Sequence, residues 1–529
     1  MKPEHKERVV EEVISRIVDQ IIANVDTMPL ETVINDTIFH ERKRCDEKRK
    51  TRRTKKEILY WKQLKKRLIS ANEEDKRKML RELVTQFAEE IVGNFNPKVY
   101  KFASKVLPVA LSVMLNAMSP WNLIKHFPKF PDLSDRIIIE GEIEQIQALQ
   151  KLGTLILVPT HLSNMDSIVI GWSLYKINLP PFIYGAGINL FTNKILSYFM
   201  HNLGAYKVDR KKTESLYKQT LKEYTTCTLE FGYHNLFFPG GTRSRSGEIE
   251  HHLKLGLLGS SMHAYINNLK HQKDKPNFYV VPCTLSYQVV LEAERLIGDA
   301  LKLTGKSQYI MEDDEFSQVH RIYDFLQSLL KLDSKIYVRI CPAMDLFGNR
   351  VDNEGKSYDK HGRQIDITQY VMRNNEIVYD EQRDHQYTSE LGIEIAKSYV
   401  KNNVIMCTHV VAFAIFRILI NHNEKMDLYH LLRTGGKEDT LPMREVFETM
   451  NTLMELLKEK VKQGEIAMDH DLQDARIEDI FEDAVKHFKS YHKKTVLIRK
   501  GDRLYPTDRN LLYYYHNRLL GYGFEKELR

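Results

Sequence analysis

Apolar residues return every three or four positions along the first part of the chain, as at Val9, Val13, Ile17 and Ile21, with charged residues in the gaps. That spacing lines one face of a helix and predicts an amphipathic helical region running to about Asn116. The apolar face then widens over residues 106–127, VLPVALSVMLNAMSPWNLIKHF, with Trp121 near its end. A helix of that kind belongs in a core or at a membrane interface. From about Asp135 to Pro342 short β-branched runs alternate with longer helical stretches. Strands are predicted at 154–159, 181–184, 235–238, 278–282 and 336–340, with a strand-like AYKV before Asp209. This alternation indicates an α/β core, whose strand ends are where ligands bind. Residues 343–400 are rich in Gly, Asp and Asn and read as a series of turns, after which the helical period returns. Four regions follow: a helical region 1–134, an α/β core 135–345, a polar turn-rich insertion 346–400 and a helical region 401–529. No internal repeat is expected.

Composition narrows the class. A chain of 529 residues is too long for one core. An apolar fraction of 42% with 10% aromatics excludes global disorder. The cysteines (Cys45, Cys227, Cys283, Cys341 and Cys407) form no CxxC pair, which argues for a reducing compartment and against a disulfide framework or a zinc site. The charged start, MKPEHKERVVEEVISR, has no apolar h-region, so no signal peptide is expected. The run at 404–420 contains His409 and Arg417 and is short for a membrane span, so a buried helix is expected there. Any contact with lipid would be peripheral.

The net charge of +7 is concentrated in one place. Residues 41–68 hold fourteen Lys/Arg against four Asp/Glu, a balance of +10, which leaves −3 for the remainder. Such a segment is a solvated helix face, a site for anionic lipid, or, last of the three, a nucleic-acid contact.

Candidate chemistry begins where strand 154–159 ends. Thr160 is followed by HLSNMD, placing His161 five residues ahead of Asp166. An imidazole backed by a carboxylate is a general-base arrangement, because the Asp fixes the tautomer and stabilises the imidazolium. The pairing requires His161 in the strand-to-helix loop and Asp166 in the first helical turn, with Ser163 or Asn164 as the expected N-cap. Spacing alone carries little weight. The chain has 20 histidines, and His361–Asp366 and His422–Asp427 share the interval. His161 alone follows a predicted strand.

A second feature is FFPGGTRSRSG, residues 237–247. Arg243 and Arg245 leave one face of an extended segment and suit a phosphate, while Gly240 and Gly241 let backbone amides approach the same anion. A basic surface turn is the plainer alternative. Between the two features, residues 185–212 end in AYKV followed by Asp209, Arg210, Lys211 and Lys212, a further cationic cluster after a strand.

In this order HLSNMD, GAGINL with LGAYKVDR, FPGGTRSRSG and VVPCTLSY resemble the four blocks of the glycerolipid acyltransferases. The likeness is greatest to the bacterial membrane-associated glycerol-3-phosphate acyltransferases and their dihydroxyacetone-phosphate relatives. It covers about residues 135–345 and extends to the YYYHNRLLGY ending. It implies a central mixed sheet flanked by helices, between the two helical regions. It also implies acyl transfer from acyl-CoA or acyl-carrier protein to the sn-1 hydroxyl of glycerol 3-phosphate at the cytoplasmic side of a membrane. Dihydroxyacetone phosphate and 1-acylglycerol 3-phosphate are alternative acceptors. By the family's roles, His161 is the base and Asp166 orients it. Arg243, Arg245, Arg210 and Lys254 match phosphate ligands, and backbone groups near Gly241 and Thr242 are candidates for the oxyanion. No cofactor, metal or nucleic acid is implied. Two departures stand out: Gly240 replaces a common Glu in the third block, and Asp209–Arg210 replaces paired arginines in the second. A different class, a degenerate scaffold holding acidic lipid or nucleic acid through the basic segment, is the competing reading.

Overall fold

The segment Thr154–Pro159 is buried at every position, as an uninterrupted apolar run must be when both faces of a parallel sheet are covered. The computed structural model describes residues 1, 3–47, 51–103, 136–191, 194–304, 334–434, 440–492 and 494–528. It places this strand in a seven-stranded sheet. The strands are β1 (Ile137–Gly141), β2 (Thr154–Pro159), β3 (Ile183–Gly187), β4 (Ala205–Val208), β5 (Asn235–Leu236), β6 (Phe278–Tyr287) and β7 (Ile336–Ile340), in the order β1-β7-β6-β2-β5-β3-β4. Only β6 and β7 pair antiparallel, so the sheet is mixed, as expected.

Proline accounts for two differences from the expected strands. β3 starts after Pro180 and Pro181, which supply no amide donors. β6 runs past Pro282 to Tyr287, since Pro282 forfeits one donor while its carbonyl still accepts the Cys341 amide at 3.0 Å. β1 was not among the expected strands. The wide apolar helix expected at 106–127 lies outside the described residues.

Among the described residues up to Ile91, the N-terminal pattern folds as four helices: α1 (Pro3–Ala23), α2 (Leu30–Asp46), α3 (Arg52–Ile69) and α4 (Glu73–Ile91). Val9, Val13, Ile17 and Ile21 are all buried. They share one apolar cluster with Tyr206 of β4 and with Leu216, Tyr217, Tyr224 and Cys227 of the helix Ser215–Glu230. Arg16 seals this seam, its Nη2 standing 2.8 Å from Glu230 Oε2.

The turn-rich segment contains a repeat after all, contrary to the expectation from sequence. DLFGNRV, DNEGKSY and DKHGRQI follow one another from Asp345. In each, the Asp side chain accepts backbone amides two and four residues on: Phe347 and Asn349 for Asp345, Glu354 and Lys356 for Asp352, His361 and Arg363 for Asp359. Gly348, Gly355 and Gly362 adopt φ of 83, 80 and 78°, closing identical turns that side-chain-bearing residues rarely adopt. The turns join Arg350–Val351, Ser357–Tyr358 and Gln364–Ile365 into an antiparallel meander. From Glu381 the chain is already helical, as far as Asn402.

The run expected as a buried helix is one. In Cys407–His422, twelve residues are buried, and the helix packs against Arg509–His516, Met443–Lys462 and Ile477–Tyr491. Among the described residues no helix is long and apolar enough to cross a membrane. One apolar cluster runs continuously from the sheet into these helices.

Candidate active site

Strands β2, β3, β4 and β5 run in one direction, so the loops at their carboxyl ends meet along one edge of the sheet. Leaving β2, the chain passes through Thr160 and His161 before the helix Asp166–Lys176 begins. The Asp166 side chain is fully buried. Its Oδ2 accepts from His161 Nδ1 at 2.8 Å and from the amides of Leu162 and Ser163 at 2.7 and 2.9 Å. Its Oδ1 accepts the Tyr287 hydroxyl, at the end of β6, at 2.5 Å. A carboxylate so placed makes Nδ1 the protonated nitrogen and leaves Nε2 as the basic one. The imidazole is held flat on Phe238, with ring centroids 4.2 Å apart.

The other two histidines at the same interval form no such pair. Asp366 caps a short turn through the Thr368 amide at 3.0 Å. His422 meets Glu445 at 2.7 Å, while Asp427 binds His430 at 2.6 Å. A strand that delivers its last residue to a loop is what separates His161 from them.

Neither Ser163 nor Asn164 caps the helix, because Met165 occupies the cap position. The reason is Glu292, buried beyond the end of β6. One of its oxygens accepts the Ser163 hydroxyl at 3.0 Å; the other accepts the Asn164 amide at 2.9 Å and Arg243 Nη1 at 3.2 Å. One carboxylate thus ties the loop that carries His161 to the arginine of the glycine turn.

His161, Thr242, Arg243, Arg245 and Arg210 line a single cavity of about 240 Å³, together with Lys211 and Arg295. Lys254 and Gly241 do not line it. Lys254 donates its amide to the Pro239 carbonyl at 2.7 Å, and its side chain covers Gly241: a methyl group there would stand 2.6 Å from Lys254 Cδ. The Gly241 amide donates to the Phe238 carbonyl at 3.0 Å, so it closes the turn and is not offered to an oxyanion. Lys212 is likewise turned away and buried, its Nζ 2.6 Å from Glu90 and 3.3 Å from Glu41. Asp209, the unexpected acid, is buried beside it; it accepts the Lys211 amide at 3.0 Å and lies 3.9 Å from Arg44. The second-block turn is therefore anchored to α2 and α4, which accounts for an acid where a second arginine was expected.

Sequence reasoning missed Tyr287, Glu292 and Arg295. Tyr287 ends the quoted VVPCTLSY, but nothing local marks it as a partner of Asp166. Glu292 and Arg295 belong to a short charged stretch after an apolar run, and only the fold brings them to the loops they meet.

The C-terminal tail backs the site. Asn517 donates to the Ser246 carbonyl at 2.9 Å, Arg518 to the Leu285 carbonyl at 3.0 Å, and the Tyr515 hydroxyl accepts the Val290 amide at 2.9 Å.

A base backed by a buried carboxylate, facing a cavity ringed by cations, is fitted to transfer a group to a hydroxyl of an anionic molecule. Comparison with known proteins points to a class: residues 140–286 match the Acyltransferase family model. The chain is 25% identical over 231 residues to a glycerol-3-phosphate acyltransferase of Pseudomonas paraeruginosa, a match covering 44% of this chain and 24% of that protein. It is 28% identical over 175 residues to the human dihydroxyacetone phosphate acyltransferase, covering 32% of this chain and 25% of that protein. The matches thus span about a quarter of these relatives' own lengths.

Proposed function

We propose that this protein transfers a fatty acyl group from acyl-CoA or acyl-carrier protein to the sn-1 hydroxyl of glycerol 3-phosphate, giving lysophosphatidic acid. The observation that carries the reading is the His161–Asp166 pair sharing one cavity with Arg210, Arg243 and Arg245 inside the segment that matches the Acyltransferase family model. The arginines take the acceptor's phosphate. His161 Nε2 removes the hydroxyl proton, and Asp166 stabilises the imidazolium that forms. The alkoxide attacks the thioester carbonyl, the tetrahedral oxyanion collapses, and the thiolate leaves, taking the proton back from His161. The Thr242 backbone is the remaining oxyanion candidate in the turn. The cavity suits a small phosphate ester; an acyl chain and the donor's carrier extend beyond it. No cofactor or metal enters this scheme.

Purified protein incubated with labelled acyl-CoA, or acyl-carrier protein, and each acceptor in turn tests the reading. Ester product with glycerol 3-phosphate is expected. The likeness to dihydroxyacetone phosphate acyltransferase makes that acceptor the second to try, then 1-acylglycerol 3-phosphate. No ester from any acceptor with either donor leaves only the degenerate-scaffold reading standing. Within the enzyme, Tyr287→Phe removes one charge-assisted bond to Asp166 and should lower kcat by roughly tenfold, with the acceptor KM little changed, in steady-state assays.

The same proposal places the enzyme at the cytoplasmic surface of a membrane, through α3. Its Trp61, Leu64 and Leu68 face inward, while Lys55, Lys56, Lys62, Lys65, Lys66 and Arg67 are exposed beside Leu59 and Ile69, at 56% and 80% exposure. Lysines around apolar tips suit anionic lipid rather than nucleic acid. Lys62→Gln, Lys65→Gln and Lys66→Gln together should weaken sedimentation with phosphatidylserine vesicles on the order of 100-fold, at about 1 kcal/mol per lysine, and leave zwitterionic vesicles unaffected.

A further inference from the structure

A further acid, half-buried, stands at the site with no role in the chemistry above. Glu250 lies between the arginine turn and the helix Gly256–Lys270. Its Oε1 accepts the backbone amide of His161 at 2.9 Å. The His161 carbonyl is held by the same loop, accepting the Ser244 amide at 2.7 Å. Both peptide groups of the base are therefore pinned by the segment that presents Arg243 and Arg245. The other Glu250 oxygen lies against Gly240, where a methyl group would stand 2.6 Å from the Glu250 carboxyl carbon. Gly240 does not have positive φ, so its glycine serves space rather than backbone conformation. Burial raises the Glu250 carboxyl to about 8, against the His161 amide and the Arg518 guanidinium, which act the other way.

We infer that Glu250 is a positioning residue for the transfer reaction: its carboxyl group fills the space left open by Gly240 and fixes the His161 loop against the Arg243–Arg245 loop. An acid at residue 240, common in the third block of related enzymes, is incompatible with Glu250 in this place. The acid reaches the loop junction from further along the chain instead. The kinetic part of the inference rests on the proposed acyl transfer; the Gly240–Glu250 pairing rests on geometry alone.

The test is a double-mutant cycle on the full chain, read by kinetics and by thermal melting. Glu250→Ala should lower kcat on the order of 10- to 100-fold through a displaced base, with the acceptor KM little changed. Glu250→Gln, which keeps both the volume and the acceptor oxygen, should recover most of that loss, whereas Glu250→Met, which fills the same space without an acceptor, should not. Gly240→Ala should be costly in the native background and add nothing to Glu250→Ala. Gly240→Glu combined with Glu250→Ala should turn over faster than Glu250→Ala alone. Additive losses, or a Glu250→Ala kcat within about twofold of the native enzyme, overturn the inference. If Glu250→Ala folds poorly, the Gln variant and the melting temperatures decide: equal destabilisation by Gly240→Ala in the native and Glu250→Gln backgrounds is expected, because Gln occupies the same space, and a harmless Gly240→Ala in both overturns the pairing. If the native protein acylates no acceptor, the proposed function fails, while the melting cycle still accepts or rejects the pairing.

Discussion

Replacing His161 with alanine is expected to reduce kcat by roughly 10²–10⁴-fold while the melting temperature stays close to that of the native protein. The asymmetry follows from how Asp166 is held. Losing the imidazole removes one partner from Oδ2, yet the Leu162 and Ser163 amides and the Tyr287 hydroxyl remain, so the buried carboxylate keeps its hydrogen bonds. Chemistry is lost because no other ring nitrogen takes the acceptor's proton. Asp166→Asn should behave differently. It exchanges an acceptor for a donor facing two backbone amides and a tyrosine, so both turnover and stability should fall. Vesicle binding through α3 should survive in each variant. Turnover by His161→Ala within tenfold of native would remove His161 from the base's role.

Arg243→Ala is expected to raise the acceptor KM on the order of 10- to 100-fold, since a charge-assisted hydrogen bond contributes about 1.5–3 kcal/mol. The donor KM should change little. A second effect distinguishes this arginine from Arg245. Glu292 would lose the Arg243 cation at 3.2 Å while remaining buried, and a buried charge with less compensation is destabilising. Arg243→Ala should therefore melt earlier than Arg245→Ala, even if their kinetic defects match. Adding Glu292→Gln to Arg243→Ala should restore part of the stability and none of the acceptor affinity. A change confined to the acyl donor's KM would reassign Arg243 away from the acceptor's phosphate.

Most of the sheet was legible because a buried strand needs an unbroken apolar run, and such runs stand out between helical stretches. β1 escaped although IIIEG is as long as the run at 336–340, because it leads directly into the charged, helix-spaced stretch that becomes Ile143–Leu152. The His161–Asp166 pair was legible for a related reason: a strand end fixes where the next residue goes, which selected one histidine from three at the same spacing. The carboxylates around it were not legible. Glu292 and Glu250 meet partners distant in sequence, and a single glutamate has no periodicity to betray its contacts. Lys254 and Gly241 show the converse. Gly241 lies in a stretch matching a family block and Lys254 follows it, yet the turn consumes the Gly241 amide and lies under the Lys254 side chain. The repeated turns at 345–365 were visible in the letters, but reading their Gly and Asp as loop composition hid their period.

That repeat constrains how the chain can change length. Each Asp-to-Gly unit closes its own turn with its own side chain; the first also packs into the core through Leu346, Phe347 and Val351, so changes in length belong to the units after it. Each turn, however, also reverses the chain. One extra unit would send the following segment away from the helix Glu381–Asn402, whereas a pair would return it to its original heading. Natural variation in this part of the molecule should therefore show a parity rule, with even numbers of units gained or lost and odd numbers selected against.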